Sequence, residues 1–121
     1  MARILIIDDE AMNRLFLRDI LEPKGHEIVE AQDGMDGIRH YREEVVDLVI
    51  TDIVMPNQDG LEMIQRLTGE FPDAKIIAYT SYDSDSEKGW LDLAKEWGAQ
   101  VTLEAPLDRI EVMEAVEEVL G

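Results

Sequence analysis

Apolar residues fall along this chain in two alternating rhythms. Short unbroken runs at Ile4–Ile7, Glu27–Val29 with Ala31, Leu48–Thr51, Lys75–Tyr79 and Val101–Leu103 predict strands. Their brevity and β-branched content suit strands buried on both faces. The segments between and after them carry apolar residues three and four apart, the spacing of one helix face. Met12, Leu15, Phe16 and Ile20 mark the first helix, stopped at Pro23-Lys24-Gly25. Met35, Ile38, Tyr41 and Val45 mark the second, after an Asp33-Gly34 turn, and Leu61, Ile64 and Leu67 the third, ending near Gly69. The fourth opens at Ser84-Asp85-Ser86-Glu87, a capping-box pattern in which serine and glutamate each satisfy an orphan amide, and continues through Trp90, Leu93 and Trp97. Leu107, Ile110, Met113, Val116 and Leu120 form the last stripe.

Strand and helix alternate throughout, which predicts an α/β fold with a parallel sheet covered by helices on both faces. The alternation leaves open which strands are neighbours. In such sheets functional groups gather outside the carboxyl ends of the strands. Asp8, Asp9, Asp52 and Thr80 all stand at such ends. The stretch from Val46 to Gly60 is the most pointed example: an apolar run climbs to Asp52 and then meets Pro56 and the turn-forming Asp59-Gly60. A turn residue closing a strand accounts for Asp52 taken alone. The repetition of the design at Asp8-Asp9-Glu10, after Arg3-Ile4-Leu5-Ile6-Ile7, argues for a site.

Composition narrows the functions open to that site. The 121 residues suffice for one domain with a real core, and 45% of them are hydrophobic, so the chain folds in spite of its charge. A net charge of −17 argues against nucleic-acid and anionic-membrane surfaces, which need stripes of Lys and Arg. There is no cysteine, which removes disulfides, thiol catalysis and cysteine-bound zinc and fits a reducing cytoplasm. No apolar run is long enough to span a bilayer. His26 and His40 stand alone and read as surface residues, and Trp90 and Trp97 as packing of the fourth helix on the sheet.

Carboxylates brought close together need a cation or a raised pKa. All-oxygen ligation with room for water suits Mg²⁺ better than a Ca²⁺ cage. A carboxylate beside that ion can attack phosphorus to give an acyl phosphate, and the Thr80 hydroxyl could donate to a phosphoryl oxygen.

The order of motifs resembles the receiver domain of bacterial two-component response regulators over the whole chain. The residues that carry the likeness are Ile6-Ile7-Asp8-Asp9-Glu10, Asp47-Leu48-Val49-Ile50-Thr51-Asp52, Met55-Pro56 with Asp59-Gly60, Ile76-Ile77-Ala78-Tyr79-Thr80-Ser81, and Gly98-Ala99 leading to a strand and Pro106. The resemblance implies a flavodoxin-like, doubly wound sheet of five strands in the order 2-1-3-4-5 with five helices. It implies Asp52 as phosphoacceptor and Mg²⁺ as cofactor. Asp9 would be a direct ligand of that ion, Asp8 a ligand mainly through water, and Asp52 and the backbone carbonyl of Val54 further ones. Thr80 would be the switch hydroxyl, and the bond before Pro106 cis. The implied partners are a histidine kinase or phosphotransfer domain, and a downstream protein on the face of the fourth helix, fifth strand and fifth helix. The expected state is a monomer or weak homodimer in the cytoplasm. With the last helical stripe ending at Gly121, the chain is expected to be one receiver domain over residues 1–121 without an output domain.

Three positions depart from that pattern. Ala105 stands where receivers carry a lysine, Thr102 where an aromatic residue is usual, and Gln58 where an apolar residue precedes Asp59-Gly60. Losing the charge-assisted hydrogen bond of the lysine costs roughly 1.5–3 kcal/mol, or about one to two powers of ten in a rate. Lys75 opens its strand and cannot substitute, whereas Arg109 and Lys88 lie early in helices that begin near the rim. Ala105 and Thr102 favour an alternative, a phosphorylation-independent interaction module of the same fold; the intact Asp8, Asp9, Asp52 and Thr80 oppose it. A phosphohydrolase with an aspartyl nucleophile would need a second aspartate two residues on, where Val54 stands.

Overall fold

The computed structural model describes residues 1–54, 60–80 and 85–121, the last stretch with side chains from residue 89. The expectations placed on Met55, Pro56, Gln58, Asp59, Ser81, the capping box at Ser84 and the Lys88 side chain therefore lie outside the described residues. The elements alternate as the apolar rhythm predicts: β1 Arg3–Ile7, α1 Ala11–Leu21, β2 Glu27–Ala31, α2 Gly34–Glu43, β3 Leu48–Asp52, α3 Gly60–Glu70, β4 Ile76–Tyr79, α4 Asp85–Trp97, β5 Val101–Leu103 and α5 Arg109–Leu120. All strand pairs are parallel, in the order β2-β1-β3-β4-β5. The order reverses between β1 and β3, so their carboxyl ends flank the crevice where such sheets bind ligands.

Local signals act as read. A short 3-10 turn, Glu22–Lys24, follows α1 and ends at Gly25, whose φ of 92° is the left-handed conformation that closes a helix. Asp33 caps α2, its side chain accepting the Asp36 N–H at 2.8 Å. The peptide bond between Ala105 and Pro106 is cis.

Side-chain alternation along the strands divides the core in two. Leu5, Ile7, Val49, Ile76 and Ala78 face the side covered by α2, α3 and α4. Ile4, Ile6, Leu48, Ile50, Ile77 and Tyr79 face the side covered by α1 and α5. β3, central in the sheet, is buried at every residue, whereas β5, at the edge, is only half-buried at all of its residues.

The α1 stripe is correct in spacing but wrong in phase, and single residues of other stripes miss the core. In α1 the residues that reach the core are Leu17, Ile20 and Leu21, while Met12, Leu15 and Phe16 are exposed at 73%, 48% and 39%. In α5 the stripe largely holds: Val116 is buried beside Val112 and Ala115, and Leu107, Met113 and Leu120 pack against the same core, while Ile110 faces solvent. Met35, Val45 and Trp90 are exposed as well, and α4 buries Leu91 and Ala94, with Trp97 partly covered. α1 offers two neighbouring apolar stripes, and periodicity does not say which one the sheet takes. The histidines are partly exposed, as surface residues are, and among the described residues neither joins a ligand cluster. His26 Nδ1 accepts the Ala2 N–H at 3.1 Å, and His40 Nε2 lies 3.7 Å from Asp36.

Candidate functional site

Two interior strands deliver carboxylates to one rim because Asp8 directly follows β1 and Asp52 ends β3, at positions of matching parity. Asp8 follows Ile4 and Ile6 on the α1/α5 face, and Asp52 follows Leu48 and Ile50 on the same face. Asp8 and Asp52 are buried, Asp9 is exposed, and one carboxylate oxygen from each lies within 4.8 Å of the other two. The backbone shapes this rim as well. The Val54 N–H donates to Asp52 Oδ1 at 2.9 Å, and the Gly60 N–H to the Ile53 carbonyl at 3.2 Å. A Cβ at Gly60 would lie 2.4 Å from Ile53 Cα and 2.5 Å from the Asp52 carbonyl oxygen, so only glycine lets α3 begin this close beneath the end of β3.

Asp8 is held on every side. Its Oδ1 accepts the Glu10 N–H at 2.8 Å, and its Oδ2 accepts Asn13 Nδ2 at 3.1 Å and the Tyr79 hydroxyl. Arg14 Nη1 donates to its backbone carbonyl at 2.7 Å, while Arg14 Nε pairs with Glu30 at 2.8 Å. Arg18 also reaches Glu30, so α1 is tied to β2 behind the site; burial pushes the Glu30 carboxyl up, but the two arginines hold it below its ordinary value. Burial drives the Asp8 carboxyl upward, and Asp9 adds to the push; the donors from Tyr79, Glu10 and Asn13 pull against it without restoring the ordinary value. Burial first, and then the Asp8 carboxylate, raise the Tyr79 phenol well above its usual range, so it stays a neutral donor.

A cluster in this state is short of positive charge. A hard divalent cation meets that need: the donors are all oxygen, two of the three carboxylates are sequestered from water, and the exposed Asp9 leaves an open side.

Thr80, buried at the end of β4, accepts the Ala105 N–H at 3.3 Å through its hydroxyl. Ala105 helps to line a cavity of about 330 Å³ with Asn13, Phe16, Tyr79, Thr80, Pro106 and Leu107. Thr102 is half-exposed on β5, opposite Ala78. Arg109 is exposed at the start of α5 and makes no ion pair with Asp8, Asp9 or Asp52 among the described residues. Lys75 lines a pocket with Met1, Ala2 and Asp47, which border the amino ends of β1 and β3.

The structure thus gathers Asp8, Asp9 and Asp52 and puts Thr80 in contact with Ala105. It adds Tyr79, Asn13 and Arg14, which the sequence reading left out. Tyr79 had been absorbed into an apolar strand. The usable signal was parity, since its Cα is in register with Asp52, and it shares the face of Asp8 and Asp52.

A parallel doubly wound sheet with an acidic cluster at its switch point defines the class of fold and the place of the site, and sequence comparison gives the family. Residues 4–117 match the model of the response regulator receiver domain, and the chain belongs to that family, the receiver of two-component signalling. It is 35% identical over 123 residues to protein PilH of Pseudomonas aeruginosa, spanning 100% of this chain and 99% of that one. It is 31% identical over 118 residues to the chemotaxis protein CheY of Listeria monocytogenes, with 97% of each covered. A solved receiver domain from Clostridium thermocellum superposes with a TM-score of 0.90 at 27% identity, over 99% of this chain and 94% of the other.

Proposed function

We propose that this receiver accepts a phosphoryl group on Asp52 from a histidine kinase or phosphotransfer protein, with Mg²⁺ as cofactor, and signals through protein contacts rather than by turning over a substrate. The observation that carries the reading is the convergence of Asp8, Asp9 and Asp52 at the switch point. An Asp52 carboxylate oxygen attacks the phosphorus of a phosphohistidine. The new O–P bond forms as the P–N bond breaks, and the departing imidazole nitrogen takes up a proton. Asp9 would hold the metal directly, Asp8 mainly through water, and Asp52 and the Val54 carbonyl would be the further protein ligands. The ion would supply positive charge to offset the carboxylates and the phosphoryl oxygens. The Thr80 hydroxyl leaves its contact with the Ala105 N–H and turns to donate to a phosphoryl oxygen, which carries the signal to the β4–β5 edge. Attack of water on the acyl phosphate later breaks the O–P bond and returns the Asp52 carboxylate and inorganic phosphate. The downstream partner docks on α4, β5 and α5.

Intact mass after incubation with Mg²⁺ and acetyl phosphate tests this reading, beside Asp52→Asn. The expected result is one hydroxylamine-labile phosphoryl adduct that requires both Mg²⁺ and Asp52. Ala105 and Thr102 support a second reading, a receiver fold that binds its partner without phosphorylation. No adduct in either the natural chain or Ala105→Lys, with partner binding retained, decides for it.

A further inference from the structure

We propose that the Tyr79 hydroxyl is a positioning group for the metal site, which fixes the Asp8 carboxylate from the side on which position 105 carries no charge. The inference rests on the metal-dependent reading above. Tyr79 lies on β4, two strands from β1 in the sheet, and its phenol crosses the end of β3 to reach Asp8 Oδ2. It is 1% exposed, and its ring packs with Ile50 and Ile77 on the α1/α5 face. A phenol so enclosed has few other places for its proton, and buried hydroxyls find a partner. Its partner is the carboxylate, already gripped by Glu10 N–H and Asn13 Nδ2. Three donors from three directions leave this side chain little freedom to rotate. Groups that orient a metal ligand in this way commonly govern affinity for the ion.

The cavity shows why the work falls to Tyr79. Ala105, Tyr79 and Asn13 line the same space, and a methyl group is all that position 105 puts into it. A long cationic side chain there would enter from the β5 side and approach the same carboxylates. Tyr79 supplies a neutral donor from the β4 side instead. The two devices act on one carboxylate, so each should matter less where the other is present.

A double-mutant cycle on the intact chain tests this. Wild type, Tyr79→Phe, Ala105→Lys and the double variant are titrated with Mg²⁺ by amide chemical shift, and Asp52 adduct formation from acetyl phosphate is timed by intact mass. Tyr79→Phe should raise the Mg²⁺ Kd about tenfold and raise the Mg²⁺ concentration for half-maximal phosphorylation with it, leaving the rate at saturating Mg²⁺ nearly unchanged. In the Ala105→Lys background the same change should cost less than about twofold. An unchanged Kd in Tyr79→Phe, or the same factor lost in both backgrounds, overturns the proposal. Tyr79→Leu, which lacks the ring as well, should match Tyr79→Phe in Kd; a further loss would assign the effect to packing and overturn it too. No Asp52 adduct in the wild type or in Ala105→Lys, with Mg²⁺ affinity still lowered by Tyr79→Phe, defeats the phosphoacceptor reading and leaves this one standing. A normal adduct with unchanged affinity does the reverse.

Discussion

The ends of β3 and β5 face the same rim of one sheet yet are built differently. β3 is central, buried at every residue, and ends in an aspartate whose surroundings are fixed by backbone contacts from Val54 and Gly60. β5 is a three-residue edge strand, half-exposed, and it ends in Thr102, Leu103 and the short run to Ala105. On the proposed function the first region takes the phosphoryl group and the second reads it. By the resemblance drawn from the sequence, the acceptor end keeps the expected residues and the reading end departs from them at Thr102 and Ala105. Burial explains the asymmetry: every change at β3 disturbs packing on two faces, whereas β5 has an open side.

Breaking the acceptor end should have the largest effect. Asp52→Asn should abolish the phosphoryl adduct in intact-mass measurements while the far-ultraviolet spectrum stays native. Ala105→Lys restores a charge at the other end and should speed phosphorylation by acetyl phosphate by about ten- to a hundredfold; a rate within twofold of the natural chain would show that the reading end contributes nothing to acceptance. Gly60→Ala forces a Cβ into backbone rather than into a movable side chain, and should cost about 3 kcal/mol or more in urea denaturation. Gly37→Ala meets only the tip of Ile7 and should cost about 1–2 kcal/mol.

A smaller effect tests the electrostatics. The Asp8 carboxyl titrates above its ordinary value, so between the unfolded and folded values the native state binds more protons than the unfolded one. Stability from this group is present at low pH and lost as pH rises through its folded value. Without Mg²⁺, Asp8→Asn should raise the melting temperature at pH 7 by about 3–5 °C, and this gain should shrink as the pH falls towards 4. Added Mg²⁺ should stabilise the natural chain and leave the variant nearly unmoved. Thr102→Tyr, on the exposed strand, should change the phosphorylation rate by less than about twofold and stability by no more than about 0.5 kcal/mol.

Sheet and site were legible to different depths. The strands could be read because a fully buried parallel strand is a nearly continuous apolar run, and because Asp8 and Asp52 end two of them. Strand order came from the resemblance and not from periodicity. The helix phase failed at Met12 and Phe16 of α1, where two apolar stripes lie side by side and docking chooses between them. Tyr79 was invisible for a related reason: an aromatic ring inside a strand reads as core, and only the neighbouring strands reveal that its polar tip ends on Asp8.

Both tryptophans of the chain, Trp90 and Trp97, lie on α4, one exposed and one partly covered. All of the indole fluorescence of the molecule therefore comes from one helix at the reading end, and none from the acidic rim. Emission wavelength and quenching thus make a natural optical gauge, silent to events at Asp52 until they displace α4.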